Sequence, residues 1–498
     1  MDRNPILIIR TFGKDDVKQF RSFLRSPFFR YSPKVLKLFN YIAKQPHTFE
    51  WNSLSDEELH KSIFPETIYN RSTFTSLFSK LHSDICNYLM ITNLMNKPLK
   101  MSDHLRDEFF KRGLPELAGK LIEKSELQLN NIDSVDAAYF LSRFELASDK
   151  VNWFYLAHPR TNRKKMLQDI ENIDQRGMYL AFFFTMEMIR ELDNLLSLKN
   201  TYEIPEKGLF VTRFTERIGL DGIIDHLIKE CEPGKYKSVL EVNARMLEAF
   251  SSLHNESLYQ NYKRAIKKHL RHLSVDDRRF HFGRLARYCI LRRREAGTNL
   301  FENELFLIYS EILKKGYYRS SVTKDMPAEL FRNILILALR LKKFEWTKRF
   351  INEFSGELNP KRRKNLKNYA MARYFFATGK FEDAVREARG IDLDDLIFKL
   401  DIRNLILMSF IELRDHVETA EVLDSYLHFI SSERSFSKNQ RKIYGDFAEA
   451  VRQLLKLQMS EDPNSEAEYK LLKRTSKHLP FGEWVMKKFE EECRRVVD

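Results

Sequence analysis

The stretch NYAMARYFFATGKFEDAVREA, residues 368–388, holds two apolar segments separated by Gly379 and Lys380. Apolar and small side chains recur three and four residues apart on both sides of this break, as on one face of an α-helix. Glycine readily adopts the left-handed backbone conformation that ends a helix. The small side chains of Ala372 and Ala384 would let two helices approach closely. The stretch therefore predicts a helical hairpin with its turn at Gly379.

The same pattern recurs on both sides of this hairpin. In LMSFIELRDHVETAEVLDSYL, Ala420 aligns with Ala384 at an offset of 36 residues. In LILALRLKKFEWTKRF, Phe344 aligns with Phe381 at an offset of 37 residues. Helix pairs at such periods indicate an α-solenoid, because one pair buries its apolar face only when neighbouring pairs stack on it. The sequence thus predicts an all-α fold.

Composition agrees with helices. Sixteen glycines and fourteen prolines are few for 498 residues, so turn-forming residues are sparse. Alternating runs of β-branched residues bounded by Asn-Gly or Asp-Gly, which would indicate strands, are absent from the sequence. In the middle hairpin we expect Asn359 to cap the first helix and Pro360 to occupy its first turn.

The spacing of a small residue, an aromatic residue, a turn glycine and an F-x-x-A segment resembles tetratricopeptide repeats between about residues 331 and 430. Three positions depart from that pattern. Asp415 replaces the turn glycine, Met408 replaces the small residue, and Thr347 replaces an alanine. The resemblance implies an α-solenoid of tetratricopeptide-like helix pairs.

A second resemblance covers nearly the whole chain. Segments such as FRSFLRSPFFRYSPKVLKLFNYI at residues 20–42 and FLIYSEILKKG at residues 306–316 resemble a family of repeat proteins of about this length from Bacteroidota genomes. That family has no assigned activity. The resemblance therefore implies the fold and a bacterial origin, and it supplies no mechanism.

These patterns divide the chain into four regions. They are an N-terminal helical domain at 1–100, a middle helical region at 101–260, tetratricopeptide-like repeats at 261–459 and a C-terminal helix pair at 460–498 that caps the array. The helices expected in the first region are 14–24, 33–44, 55–64 and 71–90. Ser55 and Glu58 have the spacing of a capping box at the start of the third helix.

Motifs of enzymes are absent from the sequence: we find no phosphate-binding loop, dinucleotide-binding glycine pattern, nucleophile elbow or zinc-protease helix. His269 and His272 are three residues apart, but no further ligand cluster accompanies them. We therefore expect a non-catalytic protein with no cofactor, no metal site and no identified small-molecule substrate.

Four scattered cysteines suit a reducing compartment rather than a disulfide framework. The most apolar segment, residues 178–189, is much shorter than the roughly 20 residues that cross a bilayer, and we expect it to be a core helix. These features favour a cytoplasmic protein that does not enter a membrane.

Positive charge is concentrated between residues 263 and 294, where twelve Lys and Arg face two Asp, a local net charge of +10 in a chain of +14. At the start of this segment the cations fall on one face of the expected helix. Such a surface attracts nucleic acid, acidic protein or anionic lipid, although a solvated helix face has the same appearance. The candidate binding residues, here called the basic stripe, are Lys263, Arg264, Lys267, Lys268, Arg271, Arg292, Arg293 and Arg294.

Residues 54–89 contain a short helix, a turn with a proline and a longer helix rich in Ser and Thr. This arrangement resembles the winged-helix end of bacterial activators that carry tetratricopeptide-like repeats, which implies that the longer helix enters the DNA major groove. Its candidate contacts are Arg71, Thr73, Ser76 and Lys80. The helix has few cations and no strands for a wing follow it, so a helical cap of the solenoid explains the same pattern.

The sequence favours a helical-repeat scaffold that binds a protein or peptide partner. We expect the partner surface on the first helices of the hairpins, near residues 333–339, 368–376 and 404–411. The alternative is a nucleic-acid-binding regulator that uses the N-terminal domain and the basic stripe.

Overall fold

The computed structural model describes residues 4–46, 49, 51–157, 163–202, 209–296, 300–436, 438–459 and 481–497. Within these residues the regular structure is helical, with 23 α-helices and no β-strand beyond an isolated bridge between Met326 and Leu358. The predicted all-α fold is confirmed.

The helices of the first part are α1 (Asn4–Ile9), α2 (Lys14–Leu24), α3 (Pro33–Lys44), α4 (Asp56–Ile63), α5 (Arg71–Met95), α6 (Pro98–Lys111), α7 (Pro115–Asn130) and α8 (Ala137–Ala157). The central helices are α9 (Arg163–Tyr202), α10 (Phe210–Ile218), α11 (Leu220–Glu230), α12 (Lys235–Ser251), α13 (Glu256–His269), α14 (Val275–Ala296) and α15 (Leu300–Lys315). The last helices are α16 (Ala328–Arg340), α17 (Phe344–Phe354), α18 (Arg363–Ala377), α19 (Phe381–Ala388), α20 (Leu396–Leu413), α21 (His416–Ser432), α22 (Lys438–Met459) and α23 (Gly482–Val497).

The chain forms two compact units. Unit 1 comprises residues 1–131 and 142–178, and unit 2 comprises residues 132–141 and 179–498. The four regions drawn from the sequence stay predictions. Residues 460–480, where the first helix of the expected C-terminal pair falls, lie outside the described residues, and α23 is the second helix of that pair.

Helices α1 to α5 enclose an apolar core in unit 1 that includes Phe20, Phe39 and Phe78. Helices α2 and α3 begin and end at the predicted residues, whereas α5 continues to residue 95, past its predicted end. The capping box is confirmed. The Glu58 N–H donates to the Ser55 hydroxyl at 3.2 Å, and the Ser55 N–H donates to the Glu58 carboxylate at 2.7 Å.

The hairpin predicted around Gly379 is confirmed as α18 and α19. Gly379 has a φ of 78°, in the left-handed region, and Ala372 and Ala384 are fully buried. The Lys380 N–H donates to the Phe375 carbonyl at 2.9 Å. This bond spans six residues and identifies the turn as a Schellman motif, which satisfies a carbonyl group at the end of α18.

Four hairpins share this turn. In each, a residue with positive φ follows the first helix, and the next N–H donates to the carbonyl five residues earlier. The left-handed residues are Gly113, Lys342, Gly379 and Arg414. The turn at Gly113 joins α6 to α7 in the middle region, where the sequence showed no period. Only two of the four turns therefore carry the glycine that marks such a turn in a sequence.

The second helix of each hairpin places a small residue in the core at its fourth position. These residues are Ala118, Thr347, Ala384 and Thr419, all fully buried. Both threonine hydroxyls donate to the carbonyl four residues earlier, so neither is left without a hydrogen bond. Ala420 is exposed, which shows that its predicted equivalence to Ala384 is wrong by one residue. The spacing from Ala384 to Thr419 is 35 residues.

The shift arises because the left-handed residue of this turn is Arg414 and not Asp415. Thr419 lies five residues after Arg414, as Ala384 lies five residues after Gly379. The alignment of the repeats within the chain placed Asp415 opposite the turn glycine. Asp415 instead caps α21, because its carboxylate accepts the Glu418 N–H at 3.1 Å.

The predicted start of α18 is also wrong. The helix begins at Arg363, three residues after Pro360. The Asn359 side chain accepts the Lys361 N–H at 3.1 Å, two residues along the chain. This bond closes an Asx turn, which competes with helix capping. Asn359 and Pro360 consequently form a turn that precedes the helix.

A buried charged cluster joins the first helices of three successive hairpins. Asp401 of α20 accepts two hydrogen bonds from Arg332 of α16, at 2.6 and 2.9 Å. It also accepts one from the Tyr369 hydroxyl of α18, and the Arg373 guanidinium lies 3.4 Å away. Burial alone would raise the pKa of Asp401, but Arg373, Arg332 and Tyr369 outweigh it and lower that pKa.

The apolar segment at residues 178–189 lies in α9, where Phe182, Met186 and Ile189 are buried as expected for a core helix. Across the described residues, no helix combines the length and the apolar character that crossing a lipid bilayer requires.

Candidate anion-binding pocket

One face of α14 lines a cavity in unit 2. The residues of that face are Asp276, Arg279, Phe280, Gly283, Arg284 and Arg287, three or four positions apart along the helix. Arg190 and Asn194 of α9 and residues 320–323, in the loop after α15, complete the lining. The cavity volume is about 780 Å³, within the range of ligand-binding sites. We call this site the arginine pocket.

Two of its arginines are held by carboxylates. Arg190 donates to Asp277 at 2.5 Å, and Arg284 forms an ion pair with Asp193. Their guanidinium carbons lie 5.6 and 5.1 Å from the centre of the Phe280 ring, within cation–π distance. The carboxylates and the shared ring fix where the two guanidinium groups lie before any ligand binds.

The loop wall is tied to α14. Asp276 accepts the Ser321 N–H at 3.0 Å. Within the loop, the Ser320 hydroxyl oxygen accepts the N–H groups of Val322 and Thr323 at 3.2 and 2.9 Å. This local turn holds the loop in one conformation and places hydroxyl groups at the edge of the pocket.

Burial shifts the pKa values of the charged groups behind the pocket. It raises the pKa of Asp277 to about 6, although Arg190 opposes the rise. It also raises the pKa of Asp193 and lowers the pKa of Arg284. At neutral pH the Asp277 carboxylate is therefore mostly ionised and paired with Arg190, and Asp193 is paired with Arg284. Arg279 has no ion pair with any described residue, so its charge is available to a ligand.

The first part of the basic stripe lies along α13. That helix carries Lys263, Arg264, Lys267 and Lys268, and Arg271 follows in a short 3-10 helix. The Lys263 ammonium donates to Glu304 of α15 at 2.5 Å, so its charge is neutralised locally. Lys267, Lys268 and Arg271 are exposed. The exposed charge on α13 is therefore smaller than the sequence suggests.

The second part of the basic stripe lies near the end of α14. Arg292 lies 3.1 Å from a ring nitrogen of His254 and stacks on the Phe301 ring. Arg293 lies 3.5 Å from Glu302 of α15. The side chain of Arg294 lies outside the described residues. Acidic residues of α15 thus pair with stripe residues at both of its ends, and a role for the stripe stays a prediction.

The candidate DNA contacts lie on α5 in unit 1. Arg71, Thr73 and Ser76 are exposed, whereas Lys80 forms an ion pair with Asp84 at 3.1 Å. Helix α6 follows α5 almost directly, so the described residues there form a helix where a winged-helix domain has paired strands. The cationic groups on this face are few.

The segments expected to form the partner surface are largely core. From residue 404 to 411, every residue is buried except the half-buried Ile406. Tyr369, Ala370, Ala372 and Arg373 of the middle segment are buried as well. Residues 404–411 therefore offer a partner little accessible side-chain surface, whereas residues 333–339 and 368–376 keep some half-buried side chains.

Sequence reasoning missed the arginine pocket. Arg279, Arg284 and Arg287 lie within the basic segment that was noticed, and their spacing on one face with Gly283 is a signal that the sequence contains. Arg190 could not have been found in this way, because it lies on another helix and no local pattern connects the two.

Comparison of this chain with protein-family models, with curated proteins and with solved structures finds no match. Among the described residues, no group of three or more His, Cys, Asp or Glu side chains is arranged to hold a metal ion. The fold and the pocket together define an all-α protein of packed helical hairpins with an arginine-lined cavity.

Proposed function

We propose that this chain is a non-catalytic helical-repeat scaffold that binds an acidic segment of a partner protein in the arginine pocket. The observation that carries the proposal is the convergence of four arginines from two helices on one cavity of about 780 Å³. A tetratricopeptide-like character, the likeness to the Bacteroidota family and a cytoplasmic location belong to the same proposal.

The chemistry of the lining supports acidic ligands. A guanidinium group presents its N–H donors as a planar fork that matches a carboxylate, so Arg279 and Arg287, beside the paired Arg190 and Arg284, favour binding of an acidic group. The Phe280 ring supplies an apolar wall for the carbon stems of a bound peptide. Because Asp193 and Asp277 already fix two of the arginines, little ordering is needed when the ligand binds.

The lining also favours binding over catalysis. The described pocket residues are Arg, Asp, Asn, Ser, Thr, Phe, Gly and Val, with no His, Cys, Lys or Glu among them. Asp276 is the carboxylate of the lining, and it is occupied by the Ser321 N–H. A general base near neutral pKa or an activated nucleophile is therefore not part of this set.

The test is a fluorescence-anisotropy titration of the full chain with a labelled, glutamate-rich peptide, using the glutamine version as the neutral control. The pocket variant carries Arg279→Gln and Arg287→Gln. The matched variant carries Lys267→Gln and Lys268→Gln, which removes the same charge from α13. We expect the pocket variant to weaken binding by about tenfold or more and the matched variant to change it little.

Equal losses in the two variants would show that net charge, and not the pocket, attracts the peptide. A wild-type chain that fails to bind the glutamate-rich peptide at low salt would contradict the proposed function. Circular dichroism melts of both variants establish that they are folded.

A nucleic-acid-binding role is the second candidate, favoured by the exposure of Lys267, Lys268 and Arg271. Labelled duplex and single-stranded DNA and RNA test it at two salt concentrations. Binding through phosphate contacts weakens steeply as salt rises and should be lost when the three residues become glutamine. Failure to bind at low salt would exclude this candidate for the basic stripe and for the N-terminal domain.

A further inference from the structure

Gly283 lies in the interior of α14 and faces the arginine pocket. A Cβ atom added at this position would meet no other atom within 4 Å, so packing does not require glycine. Glycine in the interior of a helix lowers its stability relative to alanine. Glycine at this position therefore leaves the space above this turn of α14 open to a ligand.

The donors of the pocket surround that space. Guanidinium groups approach from α9 and α14, and the loop residues 320–323 lie on a third side. A carboxylate accepts hydrogen bonds mainly in one plane. A phosphate group is tetrahedral and presents three terminal oxygens, so it can accept from several directions at once. The arrangement of donors fits the phosphate better.

The type of cationic group agrees with this geometry. Every cationic side chain of the lining is arginine, whose fork binds two phosphate oxygens together, whereas lysine acts as a point charge. Asp276 in the lining, and Asp277 and Asp193 behind it, offset three of the four arginine charges, so the site keeps a net positive charge that favours an anion.

We propose that the arginine pocket recognises a phosphate monoester on a serine or threonine side chain of the partner segment. This proposal rests on the proposed function, because it assigns the ligand chemistry of the same pocket. Arg279 and Arg287 bind the phosphate oxygens, and the positioned guanidinium groups of Arg190 and Arg284 lie beside them. Gly283 leaves room for the group above the helix, and Phe280 contacts the carbon atoms beside it.

The experiment titrates the full chain against three labelled peptides that share glutamate-containing flanks. The central residue is phosphoserine, glutamate or serine. We expect the phosphoserine peptide to bind about tenfold or more tightly than the glutamate peptide, as one or two additional charge-assisted hydrogen bonds would give. Inorganic phosphate should compete with it but bind far more weakly by itself, since it lacks the flanks.

Variants of the pocket locate the binding. Arg279→Lys keeps the charge and removes the fork, and should weaken the phosphoserine peptide more than the glutamate peptide. Gly283→Ala should raise the melting temperature and weaken binding of the phosphoserine peptide, and Gly283→Leu should abolish it. In Gly283→Ala, weaker binding together with a higher melting temperature would show that the ligand occupies the pocket, because a loss of folding would lower both. Lys442→Gln, at an exposed lysine of α22, serves as the surface control.

Each outcome is decisive. Equal affinities for the phosphoserine and glutamate peptides would refute phosphate recognition. They would not contradict the proposed binding of acidic segments. If none of the three peptides binds, the proposed function fails as well. Inorganic phosphate that binds as tightly as the phosphoserine peptide would show that free phosphate, and not a partner segment, is the ligand. Unchanged binding in Gly283→Leu would place the ligand elsewhere.

Discussion

Replacing Asp401 by asparagine tests whether the buried charged cluster holds three successive hairpins together. The side chains of Asp401, Arg332 and Arg373 are 7, 16 and 9% exposed. Loss of the carboxylate charge leaves two guanidinium groups in the interior without their counter-ion. Breaking a buried ion pair in this way costs about 3–5 kcal/mol, and we expect the free energy of unfolding to fall by that amount.

Urea unfolding followed by circular dichroism measures the change. The control is Asp424→Asn on α21, an exposed aspartate whose replacement should leave the midpoint almost unchanged. A further variant replaces Asp401, Arg332 and Arg373 together by leucine or methionine. It should recover much of the loss, because no uncompensated charge then remains in the interior.

The pH dependence of stability provides an independent test of the same cluster. Because Arg373 and Arg332 lower the pKa of Asp401 below its ordinary value despite burial, the ionised carboxylate stabilises the native state. That stabilisation is present above the unfolded pKa of about 3.9 and is lost as the pH falls through the folded pKa. Acid should therefore destabilise the wild type more than Asp401→Asn. A loss below about 1 kcal/mol at neutral pH, or no such difference in acid, would refute the reasoning.

Three further changes follow from the structure. Lys342→Gly should raise stability by about 1 kcal/mol, because a left-handed conformation is costly for residues with a Cβ. Gly379→Lys should lower stability by a similar amount for the same reason. Melting temperatures that shift in the same direction in the two variants would contradict this. Gly119→Ala should lower stability by about 1–3 kcal/mol in urea titrations, despite its better helix propensity, because the new Cβ would lie 2.8 Å from the Trp153 ring nitrogen; stabilisation would show that the ring moves aside. Burial raises the pKa of Asp277 from 3.8 to about 6, so the native state retains its proton longer than the unfolded chain does. The stability of the wild type relative to Asp277→Asn should therefore fall by about 2 kcal/mol between pH 4 and 7, and a constant difference across that range would contradict the assignment.

The hairpins show where local patterns succeed and where they fail. Gly379 and its flanking apolar residues predicted a turn that the structure contains. The turns at Lys342 and Arg414 have the same backbone hydrogen bonds without glycine, because those bonds depend on backbone conformation and an L-residue can adopt it at a cost. The sequence comparison therefore aligned Asp415 with the turn glycine and displaced the third unit by one residue.

The sequence by itself determined the helical class, the hairpin at Gly379 and the capping box of Ser55 and Glu58. Each of these depends on residues three to six positions apart, whose interactions are present in any local segment. Only the tertiary structure decided which charges remain available to a ligand. It pairs Lys263 with Glu304 across 41 residues and Arg190 with Asp277 across 87 residues. Because such pairs form only when packed helices bring distant segments together, the face of α14 became a pocket through folding rather than through its own sequence.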